Sequence, residues 1–286
     1  MTKSTDDSNQ SPLVSHTFSA LGTVWNIELE DGPAILSVQA AIARRVRDFE
    51  LAYSRFDPNS LISQLNETGR LVNPPKELLA MLEFAADMYA KSNGIFNISV
   101  GATLQNTGYG IPNEKKEVTA NLWKNITFNQ NKIKIPKNVA LDFGGFGKGW
   151  LIDALAALLD RSGLKNYVIN GGGDLFAKLT EPQEFGLEHP LVDTAVIGTT
   201  RISRGALAVS STVKRQWKQG DTTHHHIIDP RQQASSDSEI LSVYARADSA
   251  LIADTCATIL LIDPAQNARL KKLFGLQTIL LKKEQF

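Results

Sequence analysis

Apolar residues recur at three- and four-residue spacing from Ala34 to about Phe56, at Ile35, Val38, Ala41, Ile42, Val46, Phe49 and Tyr53, with Arg44, Arg45 and Arg47 off that stripe. The pattern predicts a long amphipathic helix with one buried face. Just before it, Val24 to Leu29 reads as a strand, and Asp31-Gly32-Pro33 as the turn between the two. A second helix is predicted from Lys76 to Ser92, between Pro74-Pro75 and Asn93-Gly94. The stretch Gly101 to Pro136 is irregular and reads as loops plus a small hairpin built from Trp123–Phe128 and Lys132–Ile135. A strand at Val139–Phe143 follows. Next comes a helix from about Lys148 with the stripe Leu151, Ala154, Leu155, Leu158 and Leu159, stopped by Gly163. Strands are predicted at Tyr167–Asn170, Thr194–Ile202, Ala206–Ser210 and Thr278–Leu281, with helices at Ser249–Leu261 and after Pro264. Interleaved strands and helices argue for α+β or α/β around a mixed sheet. No repeat or linker divides the chain. The expectation is a polar, disordered tail over residues 1–12, folding from near Phe18, and one large domain over 13–286.

Composition narrows the function classes. The 286 residues include 30 basic and 30 acidic side chains, so no net field draws the protein to nucleic acid or anionic lipid, and a charged ligand must be held locally. The hydrophobic content of 42% supports a real core, and the single cysteine excludes an internal disulfide and a cysteine-based zinc site. No apolar run approaches the roughly 18 to 20 residues of a membrane span, and the polar start lacks a signal-peptide pattern. The expected location is cytoplasmic, or exported if an amino-terminal export segment has been removed.

Seven of the twenty glycines fall in two clusters, Gly144, Gly145, Gly147 and Gly149, then Gly171 to Gly173, each after a predicted strand. Such density suggests backbone approaching something closely. In Asp142-Phe-Gly-Gly-Phe-Gly-Lys-Gly149, main-chain N–H groups at a helix start, with Lys148, suit a phosphate. Neither the P-loop nor GxGxxG fits, however, and tight packing of strand on helix is the alternative. In Thr223-His-His-His-Ile-Ile-Asp-Pro-Arg231, adjacent histidines of an extended segment face opposite ways, which argues against a metal cluster. One histidine beside Asp229 suits a proton acceptor; a solvated polar loop is the alternative. Asp254 and Thr258 stand four apart on a predicted helix, so their oxygens share a face, a donor set suited to Mg²⁺. A helix cap or an ion pair would also account for Asp254. Cys256, among apolar neighbours, reads as a packing residue.

In this order the segments resemble the ApbE family of FAD:protein FMN transferases. They are Ala20-Leu-Gly-Thr23, Tyr53-Ser-Arg-Phe-Asp-Pro-Asn-Ser-Leu-Ile-Ser-Gln-Leu-Asn66, Gly94-Ile-Phe-Asn-Ile-Ser99, Leu141-Asp-Phe-Gly-Gly-Phe-Gly-Lys-Gly149, Asn170-Gly-Gly-Gly-Asp174, His226-Ile-Ile-Asp-Pro230 and Ala253-Asp-Thr-Cys-Ala-Thr258. The resemblance implies an α+β domain with a T-fold-like core. It also implies Mg²⁺ on the diphosphate of the substrate FAD, and transfer of FMN to a Ser or Thr hydroxyl of an acceptor flavoprotein with release of AMP. By the same resemblance, Asp254, Thr258 and the Gly145 carbonyl are the metal ligands. Leu21, Phe56, Ile95, Phe96, Asn97, Asp142, Lys148 and Ile227 match flavin-contacting positions, and His226 is the base. Alternatives are FAD pyrophosphatase activity and non-catalytic FAD binding. The chain departs from the family at Phe56 (commonly Tyr), Asn97 (commonly Asp) and Gln232-Gln233, where the family has Thr-Gly. It also lacks the lipobox cysteine of the exported members.

Overall fold

The computed structural model describes residues 13–110, 117–118 and 122–286; the tail expected over residues 1–12 lies outside the described residues. The chain opens with strands β1 (Leu13–Ala20) and β2 (Thr23–Glu30), paired in register through Ala20 opposite Thr23. Their two-residue turn has both φ angles positive, at Leu21 (+50°) and Gly22 (+69°), the twist that suits a tight hairpin. Helix α1 (Ile35–Tyr53) buries Val38, Ile42, Val46, Phe49 and Tyr53, the stripe its sequence spells. Then come α2 (Leu61–Thr68), capped by the Ser60 hydroxyl, β3 (Arg70–Val72) and α3 (Lys76–Lys91). A single 3-10 turn at Ile98–Val100 leads into α4 (Gly101–Asn106), and β4 (Thr127–Asn129) and β5 (Lys132–Lys134) join β3 in a small sheet.

After α5 (Gly147–Arg161) the chain enters the body of the main sheet with β6 (Tyr167–Gly171), β7 (Asp174–Glu188) and β8 (Val196–Ser211). Two small hairpins interrupt it, β9 (Gln216–Gln219) with β10 (Thr222–His225), and β11 (Ile228–Asp229) with β12 (Ala234–Ser235). Strand β13 (Ile240–Ala247), α6 (Ala250–Ile262), α7 (Asn267–Phe274) and β14 (Gln277–Lys282) complete the fold. The seven-stranded order is β1-β2-β6-β7-β8-β13-β14. Every neighbouring pair is antiparallel, so the class is α+β, and the parallel component of the expected mixed sheet is absent among the described strands.

The main core lies between this sheet and helices α1, α3, α5 and α6. A second core covers the other face and joins Val168, Leu175, Leu207 and Tyr244 to Leu187 and Ile202. Leu187 is twelve residues beyond Leu175 on β7, roughly 40 Å along a straight strand. Their shared cluster therefore requires β7–β8 to bend back, and the ladder shifts register between Lys178 and Gln183, beside Pro182.

Several expectations are corrected. Strand β1 already includes Leu13, ahead of Phe18, and part of the supposed loop region forms α4. The two strands read before and after Gly205 are one, β8. Val139–Phe143 is extended but joins no sheet. Its polar backbone is satisfied by the Asn66 amide, which donates to Leu141 O (2.9 Å) and accepts from Leu141 N (2.7 Å). Further main-chain bonds run from Gly101 N to Ala140 O, from Asp142 N to Ile98 O and from Val139 N to Pro136 O.

Candidate active site

The site is organised by the crossing of α5 and α6. Asp153 on α5 accepts from Ser249 Oγ (2.6 Å), Ala250 N (2.8 Å) and Leu251 N (3.0 Å), so one carboxylate caps the start of α6 and fixes it to α5. One turn nearer the start of α5, Gly149 lets the two backbones meet: a Cβ there would lie 2.5 Å from Ala250 O. Gly149 N in turn donates to Asp254 Oδ2 (3.0 Å), and Asp254 is only 3% exposed. Four residues on, Thr258 Oγ1 lies 3.4 Å from the Gly145 carbonyl oxygen and 3.3 Å from Ser210 Oγ. The Thr258 hydroxyl thus adjoins the Gly145 carbonyl, and Asp254 lies one turn earlier on α6, the three groups that the family resemblance assigns to a metal. All three donors are oxygens, the chemistry a hard divalent cation selects. Among the described residues no three His, Cys, Asp or Glu side chains cluster for a metal. The donor set therefore fits Mg²⁺ with the rest of its shell left to water and phosphate oxygens.

Lys148 rises from the first turn of α5 and pairs with Asp174, which is fully buried and takes Val209 N on its other oxygen (2.9 Å). Asp174 is aimed by the turn Gly172 (φ +66°) and Gly173 (φ +98°), so the second glycine cluster serves a tight β6–β7 hairpin. Burial lowers the Lys148 pKa; the Asp254 charge works against that shift and Arg215 adds to it.

Asp142 accepts from Gly144 N (2.8 Å) on one oxygen and pairs with Arg55 Nε on the other. Arg55, assigned no role from the sequence, lies over the rings of Phe56 (4.5 Å) and Tyr109 (4.8 Å) and donates to Tyr109 O (3.0 Å). Phe56 remains 52% exposed, which leaves ring surface open beside Asp142. Ile95, Phe96 and Asn97 are buried. The Phe96 ring borders Gly145, and Asn97 Oδ1 caps Ser99 N (2.9 Å) and Ser99 Oγ (2.6 Å), so the change from Asp keeps the local cap. Leu21, in the left-handed turn between β1 and β2, is held by a bond from its N–H to Glu50 Oε1 on α1 (2.8 Å) and packs against the main core.

The histidine run divides as its alternation demands. His225 turns to Ser236 O (2.8 Å), whereas His224 stacks on Trp217 and His226 stands 6.4 Å from Tyr109, itself stacked on Trp217 at 4.7 Å. His226 Nδ1 is buried with no hydrogen-bond partner among the described residues. Burial, aided by the Arg215 charge, depresses the imidazole pKa to about 3, so the ring is neutral and a lone pair is available near neutral pH. Beyond it Ile227 is buried, and Asp229 is gripped by Arg231 in a fork. Gln233 takes the left-handed φ (+53°) that a turn glycine would supply, and its side chain receives a bond from Thr103 Oγ1 (2.5 Å) on α4. The loss of glycine here therefore preserves the turn and adds a tether. Cys256 is buried and its thiol is pushed up to about 12 by burial, which fits packing alone.

An antiparallel sheet backed by crossed helices defines an α+β protein, with oxygen donors, a lysine and glycine backbone gathered around the start of α5. The ApbE family model matches residues 21–278, and the chain belongs to the ApbE family. The FAD:protein FMN transferase of Buchnera aphidicola subsp. Schizaphis graminum is 23% identical over 265 residues, covering 85% of this chain and 77% of that protein. Among solved structures, the ApbE protein of Thermotoga maritima superposes with a TM-score of 0.82 at 21% identity over 95% of each chain. The flavin transferase ApbE of Vibrio cholerae gives 0.77 at 21% identity over 95% of this chain and 94% of that one. At such identities the structural likeness establishes the fold.

Proposed function

We propose that this chain is an Mg²⁺-dependent FAD:protein FMN transferase. The observation that carries the reading is the contact of Thr258 with the Gly145 carbonyl and of Asp254 with Gly149 N, on either side of Lys148 at the start of α5, in a member of the ApbE family. FAD is the substrate, and its flavin is held by Leu21, Phe56, Ile95 to Asn97, Asp142 and Ile227. Gly145 O, Asp254 and Thr258 would hold Mg²⁺, which would supply charge neutralisation to the diphosphate.

The chain's own groups do the rest. His226 takes the proton of the acceptor Ser or Thr hydroxyl. The hydroxyl oxygen bonds to the FMN phosphorus as the anhydride P–O bond breaks, and the electron pair leaves on the phosphate of AMP. Lys148, held by Asp174, offers the diphosphate a hydrogen-bond donor, and the backbone from Gly144 to Gly149 positions the phosphorus for in-line attack. The partner is an acceptor flavoprotein carrying a Ser/Thr flavinylation motif. Incubation with FAD, Mg²⁺ and candidate acceptors of this kind is expected to give a fluorescent covalent protein band. The Asp254→Ala variant is expected to give none and to lose its response to Mg²⁺. Undiminished labelling by that variant contradicts the metal assignment.

A further inference from the structure

The end of the β9–β10 hairpin carries an uncommitted cation. Gln216 pairs with His225 in the last rung of the ladder, and Arg215 and His226 are the residues that flank that rung, just outside the two strands. Within the ladder Trp217 stands opposite His224 and stacks on it, and Trp217 and His226 both lie against Tyr109. The hairpin is anchored on the end of α4 through bonds from Trp217 Nε1 to Thr107 O and from Gln219 Nε2 to Asn106 O (3.2 Å). Arg215 is half-buried, and its charge acts on both Lys148 and His226. Among the described residues no carboxylate lies within ion-pair distance of it, whereas its neighbour Lys214 reaches Glu188 and Asp193.

Charge balance gives that position a purpose. The diphosphate of FAD carries two negative charges. The Lys148 charge is matched by Asp174, and the Arg55 charge by Asp142. Asp254 takes one charge of a divalent cation, which leaves one positive charge against two negative. A second cation is needed for a neutral site, and in a medium of low dielectric the imbalance is costly.

We propose that Arg215 is a substrate-binding residue that contacts the diphosphate of FAD from the β9–β10 side, opposite Lys148. The inference rests on the transferase reading for the identity of the ligand. A guanidinium fork is suited to two phosphate oxygens and stays charged when partly buried. On the far side of the diphosphate from α5, Arg215 also faces the charge that grows on AMP as the anhydride breaks.

Equilibrium binding of FAD, ADP and riboflavin, in the presence of Mg²⁺, to the wild-type chain and to Arg215→Gln and Arg215→Lys tests this. Arg215→Gln is expected to weaken FAD and ADP by about tenfold or more, with a shallower salt dependence, and to leave riboflavin, which has no phosphate, unchanged. Arg215→Lys is expected to recover part of the loss. Equal affinity of Arg215→Gln and wild type for FAD and ADP overturns the inference, as does an equal loss for riboflavin, which marks a purely structural role. Wild-type protein that binds neither FAD nor ADP overturns both the inference and the transferase reading. Wild-type protein that binds FAD with the expected Arg215 dependence but never transfers FMN overturns the transferase reading alone.

Discussion

Replacing Gly149 by alanine tests how the metal-binding oxygens are held. The new Cβ would lie 2.5 Å from Ala250 O, 2.8 Å from Ala250 C and 2.8 Å from Leu251 Cα, all backbone of α6 that no rotamer change can move. Ordinary contact requires α5 and α6 to separate by about 1 Å. Overpacking of this kind costs about 1–3 kcal/mol. The same separation stretches the bond from Gly149 N to the buried Asp254 carboxylate, for about 1–3 kcal/mol more. A combined loss of about 2–6 kcal/mol lowers the melting temperature by roughly 3–10 °C in a chain of this size. Gly145→Ala is the matched control. Its Cβ meets Thr258 Cγ2 at 3.5 Å and the Phe96 ring at 3.6 Å, both normal contacts, and its melting temperature is expected within about 2 °C of wild type. Calorimetry of the two variants decides the matter. A Gly149→Ala protein as stable as Gly145→Ala refutes the close crossing and, with it, the placement of Asp254 against α5.

Other outcomes follow from the same geometry. Native His226 stays neutral down to about pH 3, whereas the unfolded chain binds that proton near pH 6.5. The unfolded state thus holds more protons between those values, and stability falls as pH drops below 6.5, by about 2 kcal/mol at pH 5 from this residue. His226→Gln is expected to flatten the stability profile in that window, and an unchanged slope contradicts the buried neutral ring. Cys256 is expected to react with a thiol reagent at pH 8 only at the rate of unfolding, with fast labelling of native protein as the contrary result. Gln233→Gly, which relieves a left-handed side-chain residue but cuts the tether to Thr103, is expected to change the melting temperature little while hydrogen exchange rises in residues 229–235. Unchanged exchange there removes the tether from the account.

What the sequence made legible follows from where each element sits. Helices α1, α3 and α5 each bury one face, so a stripe survives in the sequence to mark them. Strand β13 is buried on both faces along Ile240–Ala245, which erases the alternation that would have announced it. In β7 the interruption at Pro182 is the bend that folds the hairpin over the second core. Helix α4 is short, begins with glycine and packs against Ala140, where a Cβ at Gly101 would lie 2.6 Å from the carbonyl oxygen, so it carries no surface pattern. Within the site, the histidine alternation and the Asp254–Thr258 spacing were local signals and could be read. The roles of Arg55 on Asp142 and of Asp174 on Lys148 depend on segments far apart in the chain, and the cue for Arg55 was its place beside Phe56 in an otherwise polar turn.

The central claim is that FMN passes to a protein hydroxyl rather than to water. It is tested most directly by quantifying, in one reaction with FAD, Mg²⁺ and an acceptor flavoprotein, both AMP and FMN-modified acceptor by mass spectrometry. The account predicts that the two appear in equal amounts, with FMN on a Ser or Thr. AMP accompanied by free FMN and an unmodified acceptor would contradict it.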